Sequence, residues 1–348
     1  MRSTLLSLLL LLSICAFAKN DLETRLTALE KALHCKNRVK PDLQNRHNAF
    51  ATADYLYWLA QEDGLSYATN LTNGNKGSVE NLNFQWDSGF RTGVGYRMPH
   101  DRWELFANWT HFITDADAQI SSFSDYLYPE WATMVGPTST NLVTYIDARW
   151  DLHLNLIDGE IARAFQATHC LSLRPHVGVR GAWIDQSYKT NLAGGKNGAT
   201  TIYLDNIDMQ NDFQGVGLRT GLDTEWTVWR CFSLFGNISG SLLYGNFQIS
   251  RVEQQSNSTQ IALATIIDIV DAFYQLVPTM DIALGLRFDY TFARRVALRL
   301  QAGWEFNDFF SQNKFEHLLL NENSSYSFIA NDTSLTTQGL TLSARIGF

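Results

Sequence analysis

Past its first eighteen residues the chain has no apolar run near the roughly 18 residues that a membrane helix needs. That absence argues against helical spans but not against a transmembrane barrel, whose lumen-facing polar residues dilute every apolar window. Basic charge is in deficit, with 27 Lys+Arg against 35 Asp+Glu and a net charge of -8, so nucleic acid is not expected as a partner. Catalytic signatures are missing too. The eight histidines form no HExxH and no close His/Cys metal cluster, and there is neither a GxSxG elbow nor a GxxxxGK[ST] loop. The expectation is a protein without metal or cofactor, and not an enzyme. Proline is scarce at 6 residues, whereas 23 Gly and 44 aromatic residues (10 Trp, 13 Tyr, 21 Phe) lean toward a β protein.

What is present begins at the two ends. Residues 1–18 carry Arg2, an apolar run from Leu5 to Leu12 and Ala16-Phe17-Ala18, which reads as a secretory signal cleaved after Ala18. Residues 19–48 read as a periplasmic amphipathic helix and linker, with Leu22, Leu26, Leu29 and Leu33 at helical spacing. At the other end Leu340, Leu342, Ala344, Ile346 and Phe348 share one parity, and Thr341, Ser343 and Arg345 the other. Alternation over about ten residues is a strand able to cross a bilayer. Its aromatic end resembles the signal by which outer-membrane barrels are recognised, implying that Phe348 engages the barrel-assembly machinery.

Residues 49–348 repeat this plan. Alternating segments fall at 49–60, 84–98, 103–113, 148–164, 171–184, 213–226, 231–245, 276–290, 296–306 and 338–348. Four connections are tight and five are long and polar, the arrangement of outer-membrane barrels with turns in the periplasm and loops outside. The fold class expected is all-β, an antiparallel transmembrane barrel of about 10 strands, or 12 or more if the long loops hide others. The termini are then periplasmic, the loops extracellular, and the outer face meets outer-membrane lipid. Tryptophans 103, 226 and 229 beside turns and 58, 109, 183 and 304 near loops would form two aromatic girdles. In the fourth segment Leu152, Leu154 and Leu156 share a parity with Asp158 and Glu160, which suggests a bulge near Ile157.

The stretches TADYLYW (52–58), QEDGL (61–65), GFRTGVGY (89–96), WELFANWTHF (103–112) and SLRPHVGVRGAW (172–183) resemble the Legionella-type major outer membrane proteins, a family that includes the MOMP-like proteins of Chlamydia-related bacteria. The resemblance implies an outer-membrane, porin-like barrel and carries over no catalytic residue.

Parity assigns Arg91, Arg97, Glu104, Arg174, Arg180, Arg219, Asp223, Glu225, Asp281, Arg287, Asp289, Arg299, Glu305 and Arg345 to the lumen. These charges either line a polar passage for small hydrophilic solutes or ions, the leading expectation, or pair across strands and fill the interior. In the fourth long loop Ala262, Ile266, Ile269 and Phe273 recur at helical spacing, so a helix is expected there, packed on the neighbouring loops, lying at the membrane interface, or folded into the barrel mouth, where Asp268 and Asp271 would form a constriction. Two other functions stay open. One is a surface adhesin or structural barrel that works through its loops. The other is an omptin-like protease with His111, Asp115 and Asp117 at the rim. Cys35, Cys170 and Cys231 survive signal removal, an odd number that points to one disulfide plus an intermolecular bond, to cross-links alone, or to free thiols; a homo-oligomer is open on the same ground.

Overall fold

The computed structural model describes residues 48–348 apart from 73–75, 100, 102, 123–125, 134–142, 198–199, 230, 293–295 and 321–325. The signal segment, the N-terminal helix at 21–33 and Cys35 lie outside the described residues. Ten antiparallel strands form the barrel: β1 (Ala49–Glu62), β2 (Trp86–Arg97), β3 (Trp103–Ser121), β4 (Tyr145–Arg163), β5 (Leu171–Ala193), β6 (Thr200–Trp229), β7 (Phe232–Asn257), β8 (Ala264–Phe292), β9 (Val296–Phe309) and β10 (Leu335–Gly347). Each strand pairs with its sequence neighbours. The C-terminal strand closes the barrel on the first, with Phe50 opposite Gly347 and Glu62 opposite Leu335. No helix occurs among the described residues.

The ten alternating segments of the sequence are these ten strands, so the barrel has ten strands and not twelve or more. The long loops do contain further strands, but outside the barrel wall. Ala68–Thr72 pairs with Lys76–Glu80 and with Tyr126–Pro129, and Glu316–Leu320 pairs with Tyr326–Ala330.

The wall is uneven in height. β1, β2, β9 and β10 have 14, 12, 14 and 13 residues, whereas β5 to β8 have 23, 30, 26 and 29. The tall side includes the stretch expected to be a loop helix. Residues 264–275 continue β8, with Ile267 opposite Glu253 and Asp271 opposite Ile249. Thr265, Ile266, Ile267, Ile269 and Val270 are β-branched, which disfavours a helix and suits a pleated strand once a partner edge is available. The extended β7 supplies that edge. Pro278 fits inside β8 because its carbonyl faces β9 and accepts from the Phe310 N–H just past the end of that strand. The missing amide therefore costs no ladder bond.

At the long-loop end β5 turns into β6 through Gly194 and Gly195, with φ of +69° and +121°. Only glycine adopts such backbone without strain.

The outer face is apolar between two aromatic belts. Val216, Leu218 and Leu284 are among its most exposed residues. Near the long loops Tyr57 stacks on Trp86 at 5.5 Å, Trp86 meets Trp304 at 5.7 Å, and Phe90 meets Trp109 at 5.3 Å. Near the tight turns Phe232, Tyr290 and Phe292 are exposed, and Tyr290 and Phe292 are 4.7 Å apart. Trp58, read as a girdle residue, instead points inward and is buried.

The expected bulge near Ile157 is absent. Both ladders of β4 run without a register shift, and Leu152, Leu154 and Leu156 face the interior on the same side as Asp158 and Glu160. The inner face changes character along its height. It is charged toward the tight turns and apolar toward the long loops.

Candidate functional site: the barrel interior

Alternation turns every second residue of a strand inward, and nine of the ten strands, all but β7, set at least one charged side chain on the inner face of the tight-turn half, so opposite charges meet across the lumen. Arg174 on β5 reaches Asp223 on β6 at 2.5 Å, Glu160 on β4 at 2.7 Å and Glu104 on β3 at 3.0 Å. Arg180 binds Asp158 and Asp281, both at 2.7 Å. Arg219 joins Glu160 at 3.2 Å to Asp281 at 3.1 Å. On the other wall Arg91 contacts Glu305 at 2.9 Å and Asp54 at 3.5 Å, while Arg97 and Arg345 share Glu104 at 2.5 and 3.2 Å. Arg287 pairs with Glu225 at 2.6 Å, and Arg299 with Asp289 at 2.7 Å.

Eight arginines thus meet nine carboxylates, which leaves almost no net charge. Several of these side chains are close to sealed from solvent, Arg180 at 4% exposure and Glu104 and Asp158 at 6%. Desolvated ions are tolerable only when paired and hydrogen-bonded as these are. Aromatic faces close further gaps, with the Arg345 guanidinium 3.3 Å from the Phe50 ring and Arg91 5.6 Å from Trp58. A polar cavity of about 250 Å³ remains among these groups. Thirteen of the fourteen residues read as lumen-facing line it, and Asp289 joins through Arg299.

Toward the long loops the lumen is an apolar core. Trp58, Phe112, Trp150, Leu152, Leu154, Tyr188, Phe213, Phe247 and Phe309 are all buried there. The loop after β3 folds in on top. Trp131 is buried against Tyr188 at 5.1 Å, stacks on His317 at 3.7 Å, and donates its Nε1–H to the Ser66 carbonyl at 2.7 Å.

A buried ion pair on the tall wall latches this loop. Arg251 donates Nη2 hydrogen bonds to the Trp131 carbonyl at 2.6 Å and to Glu253 at 2.9 Å. The Glu253 carboxylate in turn accepts from the Thr133 N–H at 3.0 Å and the Thr133 hydroxyl at 2.6 Å. Beside it Asp205 is buried, with Oδ1 unpartnered and Oδ2 accepting from Gln255 at 3.0 Å. Burial first, and the Glu253 charge second, push the Asp205 carboxyl up to about 7. Burial also lowers the His317 imidazole below its ordinary value, so the ring stacked on Trp131 favours the neutral form.

The remaining sequence candidates lie apart from the interior. Asp268 is exposed on the outer face of β8, and Asp271 is exposed on the same strand near Glu316, so the two do not form a constriction on a helix. His111 sits on the outer face between Phe90 and Trp109, bonded through Nδ1 to Asn155 Oδ1 at 2.8 Å. Asp115 and Asp117 are exposed beyond it, and Asp115 is 3.6 Å from Arg149. Cys170 is disulfide-bonded, to a partner outside the described residues, and Cys231 is a free thiol. Phe348 is exposed at the tight-turn end, its N–H donating to the Ala49 carbonyl at 2.9 Å. No group of three or more His, Cys, Asp or Glu able to hold a metal occurs among the described residues.

Sequence reasoning missed Asp54, Asp158 and Glu160 in the network and Trp131, Arg251 and Glu253 in the latch. Asp158 and Glu160 were legible once an apolar parity is allowed to face inward. The latch had no local signal, because Thr133 and Glu253 are 120 residues apart.

Three solved structures show limited similarity. The outer membrane protease OmpT of Escherichia coli is 11% identical over 90% of this chain and 99% of its own, with a TM-score of 0.39. Ail, the attachment invasion locus protein of Yersinia pestis, is 11% identical over 86% and 99%, with a TM-score of 0.24. A Pseudomonas aeruginosa FadL homologue is 9% identical over 90% and 93%, with a TM-score of 0.26. No curated protein matches the chain. A family model described as the Legionella pneumophila major outer membrane protein precursor matches residues 41–348, which is the whole barrel. With its ten-stranded fold and lipid-facing belt, the chain is an outer-membrane β-barrel that belongs to this Legionella major outer membrane protein family.

Proposed function

We propose that the protein is a sealed outer-membrane barrel that acts through the surface of its long-loop end, as a structural or adhesive platform, and not by passing solutes. The observation that carries this reading is the interior itself. A diffusive pore needs hydrated lumen charges and a surplus of one sign to bias its ions. Here arginines and carboxylates neutralise one another across the lumen, and above them the apolar core and Trp131 fill the remaining bore. Ten strands give an interior only slightly wider than the eight-stranded barrels that side chains fill. The long-loop end, which this reading puts outside the cell, carries the tall wall of β5 to β8 and two small sheets, a surface built for contact.

A narrow, gated pore is the second reading, favoured by the polar cavity of about 250 Å³ in the charged half. Its path would have to open between Trp58, Leu154 and Phe309, which close the cavity toward the loops. A protease role has less support, because His111 faces outward between the rings of Phe90 and Trp109. Swelling of liposomes loaded with small sugars separates the first two readings. A platform leaves the swelling rate at that of protein-free vesicles, and a rate that rises with protein content supports the pore.

A further inference from the structure

We propose that the outer face of β3, β4 and β5 holds one glycerophospholipid of the leaflet at the tight-turn end, its phosphate on Arg163 and an acyl chain in the groove over Gly159. Most of the outer belt carries large side chains, but here Ala107 stands opposite Gly159, which stands opposite Val179. A Cβ added at Gly159 would meet only the Val179 Cγ2, at 3.8 Å, so the position opens outward. Val94, Leu105, Ile161 and Val177 rise around it and bound a shallow apolar groove of about 660 Å³.

Lipid tails are as apolar as the groove, so burial alone gives no preference for it. What favours filling is the dispersion lost along an empty lining, and a flexible chain restores those contacts. Fixing one molecule there takes a polar anchor, and the same outer parity of β4 supplies it. Arg163 is exposed four residues toward the tight turn, about 13 Å away at roughly 3.3 Å per residue. It lies over the Trp103 ring at 5.7 Å, and no carboxylate among the described residues pairs with it. It is also the one arginine among the described residues at that end of the barrel that faces out, since Arg97, Arg174, Arg287, Arg299 and Arg345 all turn into the lumen network. A cation with no carboxylate partner among the described residues, set at the membrane edge above an apolar groove, matches a phosphate above an acyl chain. The fit favours a phospholipid over a second copy of the chain, because among the described residues no acidic side chain stands on the outer face beside the groove to answer Arg163.

The test is native mass spectrometry of the detergent-solubilised full chain titrated with dioleoyl-phosphatidylglycerol. Wild type is expected to keep one lipid adduct at collision energies that strip the rest. Arg163→Gln weakens that adduct about fivefold, corresponding to roughly 1 kcal/mol per surface arginine. Gly159→Trp abolishes it, and Leu218→Trp, which adds bulk on the β6 outer face, leaves it intact. Gly159→Leu replaces the tryptophan variant if the latter fails the heat-shift test for a folded barrel. Adducts unchanged in both Arg163→Gln and the Gly159 variant would overturn the site. So would a dimer that the Gly159 variant dissociates while lipid retention stays at wild type.

Discussion

Arg180 on β5 and Asp281 on β8 meet at 2.7 Å across the lumen, spanning the two strands between them. Arg91 on β2 and Glu305 on β9 do the same on the other wall at 2.9 Å. On the proposed reading such chords close the interior, because each one occupies bore that a passage would need. They also make the charged layer sensitive to single changes. Arg180→Met takes the nearer of two cations from Asp158 and Asp281, leaving them Arg219 at 3.9 and 3.1 Å, and removing one member of a buried pair costs about 3–5 kcal/mol. Denaturant titration of the folded band on gels should show that loss. Adding Asp281→Asn to Arg180→Met should recover part of it.

The latch responds to pH with a definite sign. The Asp205 carboxyl is raised from 3.8 to about 7, so between those values the folded state holds a proton that the unfolded state has released. Stability therefore falls as pH rises through that window and levels off above it. Asp205→Asn should flatten the slope, leaving the part due to the buried Glu62 carboxyl, which burial also raises, and increase stability at pH 8 by an amount on the order of a few kcal/mol. Thermal unfolding of the two proteins at pH 4.5, 6 and 8 reads this directly. A wild type that gains stability toward pH 8 would reverse the assignment.

Residues 264–275 show where local pattern and tertiary context disagree. Ala262, Ile266, Ile269 and Phe273 satisfy a helical stripe, yet the segment extends β8 because β7 offers an edge. Cysteines placed singly through this stretch should label with period two, fast at 266, 268, 270 and 272 and slower at 267 and 269. A period near 3.6 would restore the helix.

The barrel was legible because its strands obey alternation and its turns and loops alternate in length, both of which are local features. The lumen charges were legible for the same reason. Parity alone cannot tell lipid from a dry interior, however, since both select apolar side chains. Hence Leu152, Leu154 and Leu156 looked lipid-facing and Asp158 looked like an irregularity. Trp58 was misplaced for the same reason, and the contact of Trp131 with Arg251 depends on how a loop folds over a wall far away in sequence.

Cysteine chemistry separates two sites at the tight-turn end. Cys170 is bonded and Cys231 is a free, half-buried thiol. Alkylation of the folded protein without reductant should modify Cys231 and spare Cys170, and reductant should expose Cys170. Modification of Cys170 before reduction would contradict the bond.

The closed interior is tested most directly by single-channel recording of the refolded protein in a planar bilayer, with insertion verified by protease protection. A lumen filled by cross-strand ion pairs and capped by Trp131 gives a flat current at moderate voltage, in wild type and at both high and low salt. Stable conductance steps that scale with salt concentration would contradict it and establish the pore.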